Sequence, residues 1–438
     1  MRRRPRRFAF SYLVAASLVF VLSAVATLGW AVSSETDPLG VRFSTPDVPT
    51  AADGTHDRPN TAATGAGGST GGGTGAGSGP GRPMRPGVSG LPSVGAPVKP
   101  SAPAAGPASP GRIATPGHPG ACRTGAKLVP TCGILWGVAP GAFTDARGSQ
   151  ALRSFERRTG RHQDIYHAYH KGTKAVFPTR EEIAIARDPG KERVLFLNWK
   201  PRTVSWAKIA KGDRDVDRYL DKLAAHINKN FPEQFFFTVH HEAEDNVREK
   251  AGSGYTAKDY AAMYRHVVQR LRSRGVDNLV TVLVHMAYVP HTSKKWFDAM
   301  YPGNDVIDWV GFDTYAYSDP GYGHGDFAEL LNRRSSARPT WPGFYNWAVT
   351  RHPDKPLMVA EWGVWSSKRN PGHKAAFYRE VARQIPHFPR IKAMVHFETP
   401  HNQDGRDSRV DATAESLKAY RKLGSLPVFQ VDVTTDRR

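Results

Sequence analysis

The sequence predicts an α/β protein whose folded part is a single closed (β/α)8 TIM barrel, and three observations predict it. Eight short apolar runs recur between residues 121 and 438, separated by helical patterns. The runs are continuous rather than alternating, as in strands buried on both faces of a parallel sheet. Polar and aromatic residues collect at their C-terminal ends, which in a barrel converge on one mouth.

The expected strands, in order, are Ile134 to Val138, Ile165 to His170, Val194 to Trp199, Phe235 to Glu242, Leu279 to His285, Ile307 to Tyr315, Pro356 to Gly363 and Ala393 to Glu398. Between them, Asp215 to Asn228 and Ala257 to Arg274 carry apolar residues at helical spacing, the second after the cap Thr256. No Gly-rich phosphate fingerprint follows the first strand, so a closed barrel is favoured over an open doubly wound sheet.

Upstream, the chain begins Met1-Arg2-Arg3-Arg4 and runs from Phe8 to Val32 without a formal charge. Residues 1–32 therefore read as a signal peptide or a membrane anchor, and both place the remainder outside the cytoplasm. Residues 33–120 are dominated by Gly, Pro, Ser, Ala and Thr. With so few large apolar side chains the segment cannot offset the entropy of ordering, and it is expected to be a disordered linker. The two cysteines, Cys122 and Cys132, stand at the entry to residues 121–438. In an exported chain they are expected to form one disulfide.

The formal net charge is +20. The basic residues are scattered and no nucleic-acid-binding motif accompanies them, so attraction to anionic cell-wall polymers or to a membrane surface suits the charge better than a nucleic acid does.

The strand ends carry the chemistry. Glu242 closes the fourth run and Glu361 the seventh, and strands four and seven face each other across a barrel mouth. Two such carboxylates fit glycosidic bond cleavage with retention, Glu242 as general acid and base and Glu361 as nucleophile. Tyr315, at the end of strand six, is placed to keep Glu361 ionised. His241 is expected to bind a sugar hydroxyl or a carboxylate, although strict alternation would point it away from Glu242. Trp199, Trp362 and Trp365 are candidate sugar platforms, because sugar rings present apolar faces that stack on indole. Asp313 and His170 are further candidates for substrate binding. His240 is expected to bond within the barrel wall.

Residues 131–423 resemble glycoside hydrolase family 26, the mannanase-type branch of the retaining barrel clan. The resemblance is carried by His241-Glu242, by Trp309-Val310-Gly311-Phe312-Asp313-Thr314-Tyr315 and by Ala360-Glu361-Trp362-Gly363. It implies a β-linked polysaccharide substrate, a β-mannan by default, with a mixed-linkage glucan, a xylan or an exopolysaccharide as alternatives; no cofactor or metal is expected, and the chain is expected to be a monomer. Position by position, Glu242 matches the acid and base, Glu361 the nucleophile, His241 the histidine assisting substrate binding and Tyr315 the tyrosine near the nucleophile. The chain departs from the family where Ala243-Glu244-Asp245-Asn246 replaces a Met-Asn-Gly-Trp-like stretch, and the last strand lacks the clan's tryptophan. Two other classes compete: a barrel that binds polysaccharide without cleaving it, and a metal-dependent hydrolase or deacetylase built on His240 and His241.

Overall fold

The computed structural model describes residues 122–434 apart from 320, 321, 324, 336, 337, 403 and 404. The leader and linker expected over residues 1–120 lie outside the described residues. Among the latter, no helix is long and apolar enough to cross a membrane.

Eight parallel strands close on one another: β1 (Leu135–Pro140), β2 (Ile165–Lys171), β3 (Val194–Lys200), β4 (Phe235–Val239), β5 (Leu279–Met286), β6 (Trp309–Ala316), β7 (Leu357–Val364) and β8 (Ile391–Glu398). All eight expected strands are present in the expected order. The main departure is β4, which stops at Val239 rather than reaching Glu242.

The helices between them are α1 (Gly148–Thr159), α2 (Arg180–Ala186), α3 (Trp206–Ala210), α4 (Arg214–Asn230), α5 (Ala257–Ser273), α6 (Val289–Thr292), α7 (Phe327–Leu331), α8 (Phe344–Arg351), α9 (His373–Gln384) and α10 (Ala414–Gly424). Side chains set their starts. Asp213 accepts from the first backbone amides of α4, and Thr256 forms a reciprocal capping box with Asp259 at α5.

Strand alternation divides the apolar residues into two layers. One row, including Leu135, Ile165, Phe196, Phe236, Val282, Met358 and Val395, fills the barrel. The alternate row, including Trp136, Leu197, Phe237, Leu283, Phe312 and Val359, packs against the helices. Every strand is thus buried on both faces, which is why the runs read as continuous.

The barrel floor is closed by the segment entering β1. Cys122 and Cys132 form the expected disulfide, and the loop between them carries Leu128 into the inner core. Trp309, at the start of β6, donates its indole N–H to the Lys127 carbonyl at 2.8 Å. The mouth at the opposite, C-terminal ends is left to polar residues.

Candidate active site

The end of β4 is built by backbone conformation. His240 and Glu242 both adopt left-handed φ angles, 53° and 52°. Non-glycine residues rarely take this conformation, and it concentrates at sites where surrounding structure imposes it. Here the turn is held by the Glu242 amide, which donates to the Val284 carbonyl at 3.2 Å. Breaking strand alternation lets His241 and Glu242 face the same mouth, where a regular strand would have separated them.

His240 takes the other direction. It is buried, its Nδ1 accepts from the Trp206 indole at 3.1 Å, and its Nε2–H donates to Asn246 Oδ1 at 2.9 Å. Burial, aided by the nearby Lys200 charge, holds it well below the usual histidine range, so the ring is neutral. It belongs to the barrel wall, and the two adjacent histidines do not form a ligand pair.

Glu361 reaches the mouth by a bulge. Against β6 the register runs from Phe312↔Val359 to Asp313↔Glu361, and against β8 from Met394↔Val359 to His396↔Trp362, so β7 carries one residue more than either neighbour. A bulge re-aims side chains. Its carboxylate accepts from the Tyr169 hydroxyl at 2.6 Å on Oε1 and from the Tyr315 hydroxyl at 2.7 Å on Oε2.

His241 stands between the carboxylates, its Nε2 3.4 Å from Glu361 Oε1 and 3.9 Å from Glu242 Oε2. Asn198 Nδ2 donates to His241 Nδ1, which leaves the Nε2 proton directed at Glu361. Behind Tyr169, burial pushes His167 down to about 3, so the ring is neutral and its Nδ1–H donates to the tyrosine oxygen at 3.1 Å.

These surroundings separate the two glutamates in proton affinity. Burial alone would raise Glu361, but the hydrogen bonds from His241 and the Tyr169 hydroxyl outweigh it and hold the carboxyl below its usual range. Glu242 is pushed well above its usual range by burial and then by the charges of Glu361, Asp245 and Glu244. One carboxyl is ionised while its neighbour keeps a proton, the division of labour that acid–base pairs require. Asp313, opposite Glu361 in the β6–β7 register, is raised well above its usual range by burial and by the charges of Glu361 and Glu242.

His241, Asp313 and Glu361 each place a potential ligand atom within 4.8 Å of the others. Both Glu361 oxygens are already engaged by tyrosine hydroxyls, and burial beside the charges of Glu361 and Glu242 raises Asp313, so Glu361 stands here as a hydrogen-bonded carboxylate rather than an open ligand.

Of the expected site residues, Glu242, Glu361, His241, Tyr315 and Asp313 come together, Asp313 buried beneath the pair rather than open to a sugar. Three expectations are corrected. Trp199 is fully buried on the outward row of β3, stacked on Tyr219 of α4, with its N–H given to the Gly172 carbonyl. Trp362, outward on β7, is fully buried among Trp136, Tyr378 and His396. His170, outward on β2, stacks on Phe177 and pairs with Glu182 of α2 at 3.2 Å. Strand parity removes all three from the mouth, because each is adjacent to an inward-facing residue. Trp365 is also buried; it stacks on Tyr315 at 5.3 Å and is covered by Arg406, bracing the tyrosine.

Residues not anticipated as site members are Tyr169, His167 and the aromatic pair Phe143 and Phe397. Parity along β2 was the available signal for Tyr169, two residues beyond the inward His167. Phe397 lies about midway between the two tyrosines, 6.1 Å from each ring. Phe143, in the β1–α1 loop, packs edge-on against Phe397 with 64% of its surface exposed.

Fold and site together define a (β/α)8 barrel whose mouth opposes an ionised and a proton-retaining carboxylate around one histidine. Residues 204–335 match the model of glycosyl hydrolase family 26. The chain is 24% identical over 297 residues to endoglucanase H of Acetivibrio thermocellus, covering 65% of this chain and 30% of that protein. Over 68 residues it is 37% identical to beta-1,3-xylanase TXYA of a Vibrio species, 15% of each chain. The chain thus spans less than a third of the length of either relative. Among solved structures, a GH26 β-mannanase from Bacteroides ovatus aligns with a TM-score of 0.48 at 16% identity, covering 70% of this chain and 91% of that one.

Proposed function

We propose that this chain is an exported, retaining glycoside hydrolase that cleaves a β-linked polysaccharide by double displacement, with a β-mannan as the first polymer to assay. The observation that carries the reading is the pair Glu242 and Glu361, held apart in proton affinity and bridged by His241. Export rests on the basic start and uncharged run of residues 1–32, and the Cys122–Cys132 disulfide suits an oxidising compartment.

In the first step a Glu361 oxygen attacks the anomeric carbon while Glu242 gives its proton to the departing glycosidic oxygen. The C–O bond breaks and a glycosyl ester on Glu361 forms. Glu242, now ionised, takes a proton from water, whose oxygen attacks the same carbon and frees Glu361. The hydroxyls of Tyr169 and Tyr315 serve both steps, because they stabilise the carboxylate as leaving group as well as keeping it ionised before attack.

The test uses Glu361→Ala with an activated aryl β-oligosaccharide and added azide. The expected result is lost hydrolysis, with azide restoring turnover to a glycosyl azide of inverted anomeric configuration. Hydrolysis that persists at the wild-type rate in Glu361→Ala and disappears on chelation would overturn the reading in favour of a metal-dependent hydrolase.

A further inference from the structure

Two further carboxylates follow the acid on its own turn. Ala243–Asn246 form a 3-10 turn that continues from Glu242 without a break, and it carries Glu244 and Asp245. Each is clamped by a histidine. His285, on β5, donates its Nδ1–H to Glu244 Oε1 at 2.6 Å, and His291, in α6, donates its Nε2–H to Asp245 Oδ1 at 3.0 Å. The first pair is sealed in the core, with His285 packed on Phe297 and Trp347. The second pair is half-buried.

In both carboxylates the other oxygen, Glu244 Oε2 and Asp245 Oδ2, is buried and accepts no hydrogen bond among the described residues. Burying a carboxylate oxygen without a partner costs free energy. A neutral imidazole satisfies the first oxygen without cancelling the charge, so the clamps fix negative charge beside Glu242 rather than remove it. Around Glu242 the charges of Glu361, Asp245 and Glu244 act in one direction and that of Lys200 in the other, with His241 Nε2 3.9 Å from its carboxylate. Glu244 also acts on Asp313 of β6 and Tyr260 of α5, and Asp245 on Lys200 of β3.

We propose that Glu244 and Asp245 are positioning residues for the acid: their histidine clamps hold the left-handed turn in place and keep two negative charges against Glu242, so that it stays a proton donor to higher pH than Glu361 alone would allow. This rests on the hydrolase reading above and adds to it two residues that act through the acid.

The test is a carbon NMR titration of the Glu242 carboxyl in the full chain, its signal identified by its loss in Glu242→Gln, beside the pH profile of kcat/KM on β-mannan. Asp245→Asn and Glu244→Gln keep the shape and an oxygen for the histidine while removing the charge. Each is expected to move the Glu242 midpoint, and with it the basic limb, down by about one pH unit. Glu192→Gln, the same change of net charge on the exposed loop before β3, is expected to move neither. His291→Gln removes the partner and keeps the carboxylate, so the midpoint is expected not to fall. A midpoint unmoved in Asp245→Asn, or falling equally in His291→Gln, would overturn the proposal; Asp245 is half-buried, so its substitution does not require the core to repack. Midpoints that move as expected in a protein that hydrolyses no β-linked polysaccharide would instead sustain the positioning role and remove the hydrolase reading.

Discussion

β7 carries Glu361 within a continuous ladder, displaced by one bulged residue and gripped by two tyrosine hydroxyls. β4 stops short, at Val239, and delivers Glu242 on a tight turn with two left-handed residues. The same side chain is thus held by two unlike devices. Hydrogen-bond donors make the rigid strand end a place where negative charge is stable. The turn gives Glu242 a half-buried position beside like charges, which raise its pKa. Chemical role at this mouth follows from how each strand ends, because that decides which groups surround the carboxylate.

The largest effect expected from that contrast is on turnover. Glu361→Ala should lower kcat by roughly 10⁵-fold for every substrate, as loss of a nucleophile does. Glu242→Gln should cost roughly 10²–10⁴-fold on polysaccharide but far less on an aryl glycoside whose leaving group needs no proton. Equal losses on both substrates in Glu242→Gln would break the assignment.

A smaller effect concerns pH. Glu361 must be ionised, so kcat/KM should fall as pH drops through its lowered pKa; Glu242 must be protonated, so kcat/KM should fall as pH rises through its raised one. Tyr315→Phe removes a donor to the charged form of Glu361. The acid limb should move to higher pH, and kcat should drop roughly 10- to 150-fold, for a hydrogen bond worth about 1.5–3 kcal/mol. An acid limb unmoved in both Tyr315→Phe and Tyr169→Phe would deny the tyrosines their role.

Stability should distinguish the glutamates by sign. Glu361, with its pKa depressed on folding, contributes stability above its unfolded pKa that is lost as pH falls through the folded one. Glu242, with its pKa raised, opposes folding once pH exceeds its unfolded pKa. At neutral pH, Glu361→Gln should therefore lower Tm and Glu242→Gln raise it, measured by calorimetry. Shifts of the same sign would show that the two environments do not differ as described.

The smallest effect is expected at Phe143, which packs on Phe397. Because the ring is 64% exposed, Phe143→Ala should leave Tm unchanged. If it stacks on a sugar, KM should rise several-fold, for about 0.5–1.5 kcal/mol of aromatic contact.

Much of this was legible in the chain, for physical reasons that can be named. Continuous apolar runs signalled strands covered on both faces, and the eightfold recurrence signalled closure. That Glu242, Glu361 and Tyr315 would meet was readable because strand ends of a barrel converge on one mouth. The tryptophans misled because composition marks a residue as able to stack on sugar, whereas parity decides whether it faces sugar; Trp199 and Trp362 lie on outward rows. Parity would have corrected both, and would have found Tyr169.

The conformational break at His240 to Glu242 was not readable, since none of those residues is a glycine. The divergence of Ala243 to Asn246 from the family pattern gave no signal of burial. Yet Ala243 and Glu244 are buried, Glu244 pairs with His285 at 2.6 Å, and Asn246 braces His240. The stretch packs behind the turn that carries Glu242.

The disulfide-closed loop beneath the barrel gives the molecule a direction. Cys122, where the described chain begins, packs against the floor of the inner core, and its carbonyl accepts from the Asp432 amide at 2.8 Å, so both described ends of the chain meet at the face remote from the mouth. Whatever is joined upstream of Cys122 is joined at the back of the barrel.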